Sequence, residues 1–489
     1  MNRCNPGRRV RAEDAARTIT TIVIALTATI VMALAGCANP AGIVSTSTLI
    51  EPANVGVAAA AAGSPVAADW WQSFGDPALN ELVARAVAGS PNLRAAQARV
   101  VRAGANVGVA RAADGPQLTG EADASRQRIT ATGIYPPPLA GAMINQGTLQ
   151  LNGSWDLDLF GRNRAALDAA IGSQRAAEAD AAAARVLLAV NIARNYVQLA
   201  RLVEQREVLQ RTLAQRDQVL GLIRERVTAG LDTTQELRQG EGALPEARAQ
   251  IESVDEQIML ARHTLAALAV SPPDAYDSLA PRLSMVRAVA IPGVVPADLL
   301  GRRADIVASR WRIEAASGDV ASARAQFYPN INLTAFVGFS SVGFDRLLRS
   351  GSEQFGAGPA IRLPIFDAGR LRANLRGRTA DLDTAIETYN GNVIDAIHDV
   401  ADQIGSARSI ERQQRQQADA QVSAEAAFDI ATQRYRAGLA TYLTVLTAET
   451  NVLAQRRLSV DLYARALDVQ MQLVRALGGG YTAETVAAS

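Results

Sequence analysis

Between Leu149 and Leu159 apolar side chains fall at 149, 151, 155, 157 and 159, with Asn152, Ser154, Asp156 and Asp158 between them. A period of two predicts a strand with one greasy face. Residues 117–128 form a weaker partner, joined across a Gly/Pro-rich loop containing Pro136-Pro137-Pro138, so that 117–159 reads as a hairpin. A second hairpin follows at 330–367. There Ile331, Leu333, Ala335, Val337 and Phe339 alternate with smaller or polar residues, and Phe355, Ala357, Ile361, Leu363 and Ile365 do so again. Strands of about ten to twelve residues match a tilted membrane-spanning strand with lipid on one face and a polar lumen on the other. A soluble sandwich sheet has the same alternation. In lipid, four strands cannot satisfy their own edges, so several chains must share one barrel. Two chains give a tightly filled barrel of eight strands, three give twelve around an open lumen, and four a wider ring.

Elsewhere the period is that of helices. Stepping alternately by four and three from Leu188 gives Ile192, Asn195, Leu199, Leu202, Arg206, Leu209, Leu213, Arg216, Leu220, Ile223 and Val227, nine of the twelve apolar. That is a coiled-coil seam. Its counterpart 208 residues on runs from Ala396 to Tyr435 with Gln at 403, 414, 417 and 421, and suits a wetter surface or a neighbouring chain. Each seam lies in a long helix, 161–229 and 369–437, roughly 100 Å at 1.5 Å per residue. The turn Arg226-Val-Thr-Ala-Gly230-Leu-Asp-Thr closes the first, and Arg434-Tyr-Arg-Ala-Gly438-Leu-Ala-Thr closes the second, 208 residues later. Gly161-Arg162 and Gly369-Arg370, which open the two helices, keep the same offset. Equal spacing without insertion indicates duplication of a rigid rod. Each glycine can take the left-handed conformation that ends a helix, and Arg224, Arg226, Arg434 and Arg436 sit where cations favour a helix C-terminus.

The first repeat therefore spans 70–270, with short helices at 77–113 and 231–269. The second spans 298–478, with short helices at 298–325 and 439–477. In each repeat the short helices sum to nearly the length of the long one, which predicts that they stack end to end beside it. A Pro-rich connector covers 271–297, and 479–489 is a tail.

Composition narrows the class. Of 489 residues 48% are hydrophobic but only 4% aromatic, and the formal net charge is +1, which suits an Ala-rich helical protein. Every basic residue is Arg, interleaved with acids along helix faces; this is the pattern of solvated helices and no nucleic-acid footprint. Two cysteines and two isolated histidines, His263 and His398, assemble neither a disulfide framework nor a zinc site.

At the N-terminus Arg3, Arg8, Arg9, Arg11 and Arg17 precede an uncharged run from Thr18 to Gly36, then Cys37. This is an export signal over 1–36. Leu34-Ala35-Gly36-Cys37 resembles a lipoprotein signal, which implies acylation of Cys37; an uncleaved membrane helix is the competing reading, since the run is just long enough to span. Ala38 stands where the inner-membrane retention signal of lipoproteins has Asp, which implies the outer membrane. Residues 37–69 then read as a lipidated extended linker, with order beginning at Trp70-Trp71.

Trp70-Trp71 with Phe74 and Asp76-Pro77, the Leu157-to-Arg162 run, Arg302-Arg303-Ala304-Asp305-Ile306, Phe327-Tyr328-Pro329 and the two Arg-x-x-Ala-Gly turns together resemble the TolC-like outer-membrane factors of tripartite efflux systems, in the lipoprotein branch that includes NodT. The likeness covers nearly all of the chain after Cys37 and departs at Ala304, where the family usually has Pro. It implies an α+β membrane protein: a homotrimer with a 12-stranded transmembrane β-barrel, four strands from each chain, above a long α-helical coiled-coil barrel in the periplasm. It also implies docking to a periplasmic membrane-fusion adaptor and an inner-membrane transporter of the RND type, with no cofactor beyond the lipid on Cys37, and export of small toxic compounds such as drugs. A protein-secretion duct and a structural periplasmic coiled-coil lipoprotein are the alternatives. No Gly-rich phosphate loop, metal spacing or nucleophile elbow points to an enzyme.

The two tips are the candidate site. Arg226, Gly230, Leu231, Arg434, Gly438 and Leu439 form the expected adaptor-docking surface, because the turns alone reach past the rods. The resemblance implies a gate in which Tyr435 contacts Glu236. The family's gate arginine falls on Ala440 and its deeper acidic rings on Thr444 and Thr447, which leaves Arg434, Arg436 and Asp232 as substitute links.

Overall fold

The computed structural model describes residues 39–51, 66–286 and 299–482; Cys37, the signal region and the connector from residue 287 on lie outside these. In chain order the described elements are α1 (Pro77–Gly89), α2 (Pro91–Ala112), β1 (Gln117–Arg128), β2 (Met143–Asp156), α3 (Arg162–Thr228), α4 (Thr234–Leu268), α5 (Leu299–Arg302), α6 (Ala304–Ala325), β3 (Asn330–Val342), β4 (Glu353–Arg362), α7 (Arg370–Arg436) and α8 (Tyr442–Ala476). None of the described helices is long and apolar enough to cross a membrane. By packing, the described residues divide into one unit of 39–48, 101–175 and 310–388, and another of 49–51, 66–100, 176–286, 299–309 and 389–482.

The first unit is built on an antiparallel sheet in the order β1-β2-β3-β4. Its register sorts side chains by face. Leu118, Leu149, Leu151, Trp155, Leu333, Val337, Phe355 and Ile361 share one face and are all exposed. Glu121, Thr148, Gln150, Asn152, Ser340 and Gln354 share the other. There they bond across strands: Gln354 Nε2 donates to Gln150 Oε1 at 2.7 Å and Asn152 Nδ2 to Glu121 at 3.1 Å, while Thr148 and Ser340 hydroxyls meet at 3.4 Å. A sheet in water hides its apolar face and wets its polar one; this sheet exposes the apolar face, which is the order a lipid solvent imposes.

Both strand–helix junctions are capped by carboxylates. Asp158 accepts from the backbone N–H groups of Asn163 at 3.0 Å and Arg164 at 2.9 Å, and Asp367 accepts from Leu371 at 2.8 Å. The helices of this unit cross on glycine. A Cβ on Gly172 would lie 2.9 Å from Ala315 N, and one on Gly318 would lie 2.8 Å from Ala169 N. These reciprocal contacts fix how closely α3 and α6 approach.

The segment 39–51, within what reads as an extended linker over the surface, makes specific contacts there. Ile43 is buried with Phe327, Leu371 and Leu375, and Asp383 accepts from the Ser45 hydroxyl at 2.5 Å and the Ser47 N–H at 3.3 Å. An apolar residue at 43 and a run of Ser and Thr N–H and O–H donors supply what a composition rich in small residues concealed.

The second unit is helical. Its largest core joins Trp70, Trp71, Phe74, Leu79 and Val83 to Ile192, Tyr196, Leu199 and Leu202 of α3 and to Leu265, Leu467 and Met471. Asp76 caps α1 through Ala78 N at 2.9 Å and accepts from Tyr196 OH at 2.7 Å. In the looser seam of α7 a polar residue is buried and satisfied within the protein: Gln417 donates to the Gln455 carbonyl at 2.8 Å.

Two helices expected to be continuous are broken. The 77–113 helix divides at Ser90, which is extended at φ −60°, ψ 120° because Pro91 disfavours the helical region for the residue before it. The 298–325 helix divides at Arg303, whose buried guanidinium bonds Asp305 at 2.7 Å and Asp399 at 3.3 Å. Hairpin ends also shorten, β2 stopping at Asp156 and β4 at Arg362.

Candidate gate and docking tip

Each tip turn folds for the same local reason. Gly230 and Gly438 hold φ of 73° and 78°, which only glycine adopts without strain. The following N–H closes the helix by reaching back to a carbonyl: Leu231 to Arg226 at 2.9 Å, and Leu439 to Arg434 at 2.8 Å. Leu231 and Leu439 are thereby presented to solvent, 65% and 69% exposed. A Cβ on Gly230 would meet nothing within 4 Å, so substitution there is opposed by backbone conformation alone.

The side chains of the two turns differ. Arg226 reaches Asp232 with both branches of its guanidinium, Nε to Oδ2 at 2.9 Å and Nη2 to Oδ1 at 3.1 Å. Its Nη1 donates to the Tyr435 carbonyl at 2.9 Å, and the guanidinium lies 4.6 Å from the centre of the Tyr435 ring. The Tyr435 hydroxyl donates to Asp232 Oδ2. Three groups from both turns therefore form one closed network, with the Arg226 and Asp232 side chains each 11% exposed. Hydrogen bonding from Arg226 holds the Asp232 carboxyl below the usual aspartate range. Burial, then the bond to Asp232, raises the Tyr435 phenol. Tyr435 also packs with Ile223, Phe428, Tyr442, Val445 and Val452 in the tip core.

This corrects the expected Tyr435–Glu236 contact. Glu236 instead completes a capping box at the start of α4: its carboxylate accepts from Thr233 N at 3.0 Å and from the Thr233 hydroxyl, while Thr233 Oγ1 accepts from Gln235 N at 3.2 Å. Position N3 of a helix is where a Glu serves its own N-terminus, and Asp232, just before the cap, is the acid left to face Tyr435. Arg434 and Arg436 are exposed, and neither forms an ion pair among the described residues. Ala440 leaves the second turn with nothing in place of Asp232, and the Thr441 hydroxyl, which meets that of Thr444 at 3.4 Å, accepts from no N–H group at the start of α8.

One pair went unread in the sequence. Arg216 Nε bonds Glu449 Oε1 at 2.9 Å with both side chains about 10% exposed or less, and Arg216 Nη1 also donates to the Ala243 carbonyl at 2.9 Å. Burial holds the Glu449 carboxyl above its ordinary range. The signal was present: Tyr442, Val445, Glu449 and Val452 are one stripe spaced by three and four, and an acid within a stripe needs a partner.

The sheet exposes an apolar face and keeps a bonded polar one, the pattern of a chain set in a membrane, and the two tip turns are tied by one closed ionic network. The pattern of the outer membrane efflux protein family matches residues 82–269 and 295–479. The chain is 41% identical over 359 residues to the fusaric acid resistance protein FusA of Burkholderia cepacia, covering 71% of this chain and 67% of that protein. It is 32% identical over 434 residues to the multidrug resistance outer membrane protein MdtP of Escherichia coli K12, covering 86% and 88%. The crystal structure of the outer membrane protein VceC from Vibrio cholerae superposes with a TM-score of 0.81 at 37% identity, covering 86% of this chain and all of that one. The chain belongs to the outer membrane efflux protein family. It has the α+β fold of TolC-like channels and is an outer membrane efflux channel of a tripartite pump; its family is one of transport channels, with adaptors and inner-membrane transporters as partners.

Proposed function

We propose that three copies of this chain close a 12-stranded barrel, that the paired tips dock a periplasmic adaptor fed by an inner-membrane transporter of the RND type, and that Cys37 carries a lipid anchoring each chain. The single observation that supports the shared barrel is the sheet: four strands with opposed apolar and polar faces and two strand edges left open. Twelve strands leave an open lumen where eight would be filled by side chains. The anchor rests on the Leu34-to-Cys37 signal; one acyl chain holds weakly, which makes barrel and lipid complementary attachments.

In this reading the duct rests shut. Arg226, Asp232 and Tyr435 tie the second turn of each chain to the first, and opening requires the two to part. The substrates are small toxic organic compounds, as the names of the fusaric acid and multidrug resistance relatives indicate for those proteins. Because a passive duct takes its selectivity from the pump, the compound exported follows the transporter that it joins.

Membrane fractions provide the test. The protein is expected in the outer membrane as a trimer that resists heat in detergent, labelled by palmitate only when Cys37 is present. In planar bilayers it is expected to conduct rarely until the tip network is cut. Recovery as a soluble elongated dimer would overturn the barrel, and palmitate labelling of a Cys37→Ser variant would overturn the anchor.

A further inference from the structure

A cavity of about 530 Å³ lies in the first unit, where β2, β3 and β4 join helices, and none of the gate or tip residues lines it. Its wall includes Asp156, Asn330 and Arg362, which the register sets on the polar face of the sheet. Arg162 and Arg370, the first residues of α3 and α7, bring two more cations. Phe160 and Tyr328 bring two aromatic rings, stacked 5.0 Å apart with their planes within 8° and each about half exposed, so that an outer ring face is open.

The charges around the cavity differ in how fully they are matched. Asp156 accepts from Arg162 Nη2 at 2.5 Å, Asn330 Nδ2 at 2.8 Å and Asp158 N at 3.1 Å, and Asp158 is occupied in capping α3. Asp367 attracts Arg370 through space, but its carboxylate is bonded to Gly369 N at 3.0 Å and Leu371 N at 2.8 Å. Arg362 and Arg370 are both exposed, and neither forms a salt bridge or a side-chain hydrogen bond among the described residues. Two guanidinium groups in one cavity repel each other, and an anion between them turns that repulsion into attraction.

We propose that this cavity binds a small organic acid carrying an aromatic ring, its carboxylate held by Arg362 and Arg370 and its ring laid on the Phe160–Tyr328 stack. The planar fork of a guanidinium matches a carboxylate, and a third ring extends a stacked pair. A few convergent polar groups beside apolar surface, in a volume of this size, is the make-up of a small-molecule site. A lipid headgroup offers the same negative charge, but the cavity's wall belongs to the polar face of the sheet, where acyl chains have no bilayer to enter. The inference rests on the shared-barrel reading for its place: the polar face then lines the lumen, and the site stands in the wall past which every exported compound moves. To that reading it adds a substrate class, ionised aromatic acids, with which the duct itself interacts.

The test is binding of naphthalene-2-carboxylate to the purified full-length protein in detergent, followed by naphthalene fluorescence, with heat-resistant trimer scored in the same sample. Saturable binding is expected, and the neutral naphthalene-2-carboxamide is expected to bind at least about tenfold more weakly. Cyclohexanecarboxylate, which keeps the charge and loses the ring, is expected to compete about threefold less well than benzoate. Arg362→Gln with Arg370→Gln is expected to lower the affinity at least about tenfold at unchanged trimer yield. Arg346→Gln with Arg349→Gln, the same loss of charge on the β3–β4 loop, is expected to leave it within about twofold of wild type. Equal binding of acid and amide, loss of trimer in the double variant at 362 and 370, an equal loss of affinity in the loop variant, or displacement of the acid by phosphatidylglycerol added to the micelles would each overturn the site. Trimers without binding would overturn the site and keep the barrel, whereas binding without trimers would overturn the barrel and keep the site.

Discussion

The two tip turns have the same backbone and opposite roles for their side chains. Both end a 67-residue helix with a glycine near φ 75° and an N–H that reaches back to an arginine carbonyl. In the first turn that arginine, Arg226, is gripped by Asp232, and Thr233 and Glu236 cap the next helix. In the second, Arg434 faces solvent, Ala440 replaces the aspartate, and the cap threonine accepts from no N–H group of its helix. Duplication preserved what the turn needs in order to form and let the charges diverge. The first turn is self-supporting, whereas the second is held by what it borrows from the first through Tyr435.

The sharpest way to break this contrast is to truncate the two equivalent arginines. Arg226→Ala removes a bidentate ion pair, a hydrogen bond to Tyr435 and a ring contact. Charge-assisted bonds of this kind contribute about 1.5–3 kcal/mol, so the open fraction in planar bilayers is expected to rise roughly 10- to 100-fold. Arg434→Ala, its counterpart, is expected to leave conductance within about twofold of wild type, as surface charges do. Equal effects would mean that the turns are not specialised.

Next in size are the glycines, where the turns are alike. Gly230→Val and Gly438→Val each force a β-branched residue into a left-handed conformation, at a cost of about 1–3 kcal/mol. Both are expected to abolish export in a drug-survival assay while trimers persist in the membrane. Normal export by the double variant would remove the turns from adaptor docking.

Tyr435→Phe is milder. It cuts one hydrogen bond to an ionised group and keeps the ring under Arg226, and is expected to open the duct about tenfold, toward the lower end of that range. Glu236→Gln is expected to leave conductance unchanged, and faster amide exchange at 234–236 would report the loosened cap. A conductance change in Glu236→Gln matching that of Tyr435→Phe would return Glu236 to the gate.

The smallest effect is that of pH. Asp232 is held below the usual aspartate range, so its contribution is complete above about pH 4 and is lost only as pH falls further, toward its own depressed value. Glu449, raised by burial, has the opposite sign, since acidification favours its folded, protonated form. Between pH 7 and 5 the closed state is expected to hold, and a steep opening in that window would exclude Asp232 as its holder.

Much of this was legible from spacing. Strand faces follow a strict period of two, and the turn glycines announce themselves by recurring at one offset. Partner choice was not. Asp232 and Glu236 both follow the first tip glycine within six residues, and what separates them is that Glu236 sits three residues after Thr233 and is consumed by its own helix. The helix breaks at Ser90 and Arg303 were obscured by an apolar period that runs across them. The docking of Ile43 and Ser45 was hidden because side-chain contacts of an irregular segment have no period to read.

The crossing at Gly172 and Gly318 has a consequence for how the family can vary. Each glycine abuts an alanine of the other helix so closely that adding one methyl to either requires backbone to move. No single substitution at these two sites is neutral, and trimming Ala315 or Ala169 to glycine does not compensate, because the atoms in the way are backbone. Descendants of this sequence can therefore change the exposed helix faces freely while both glycines stay as they are.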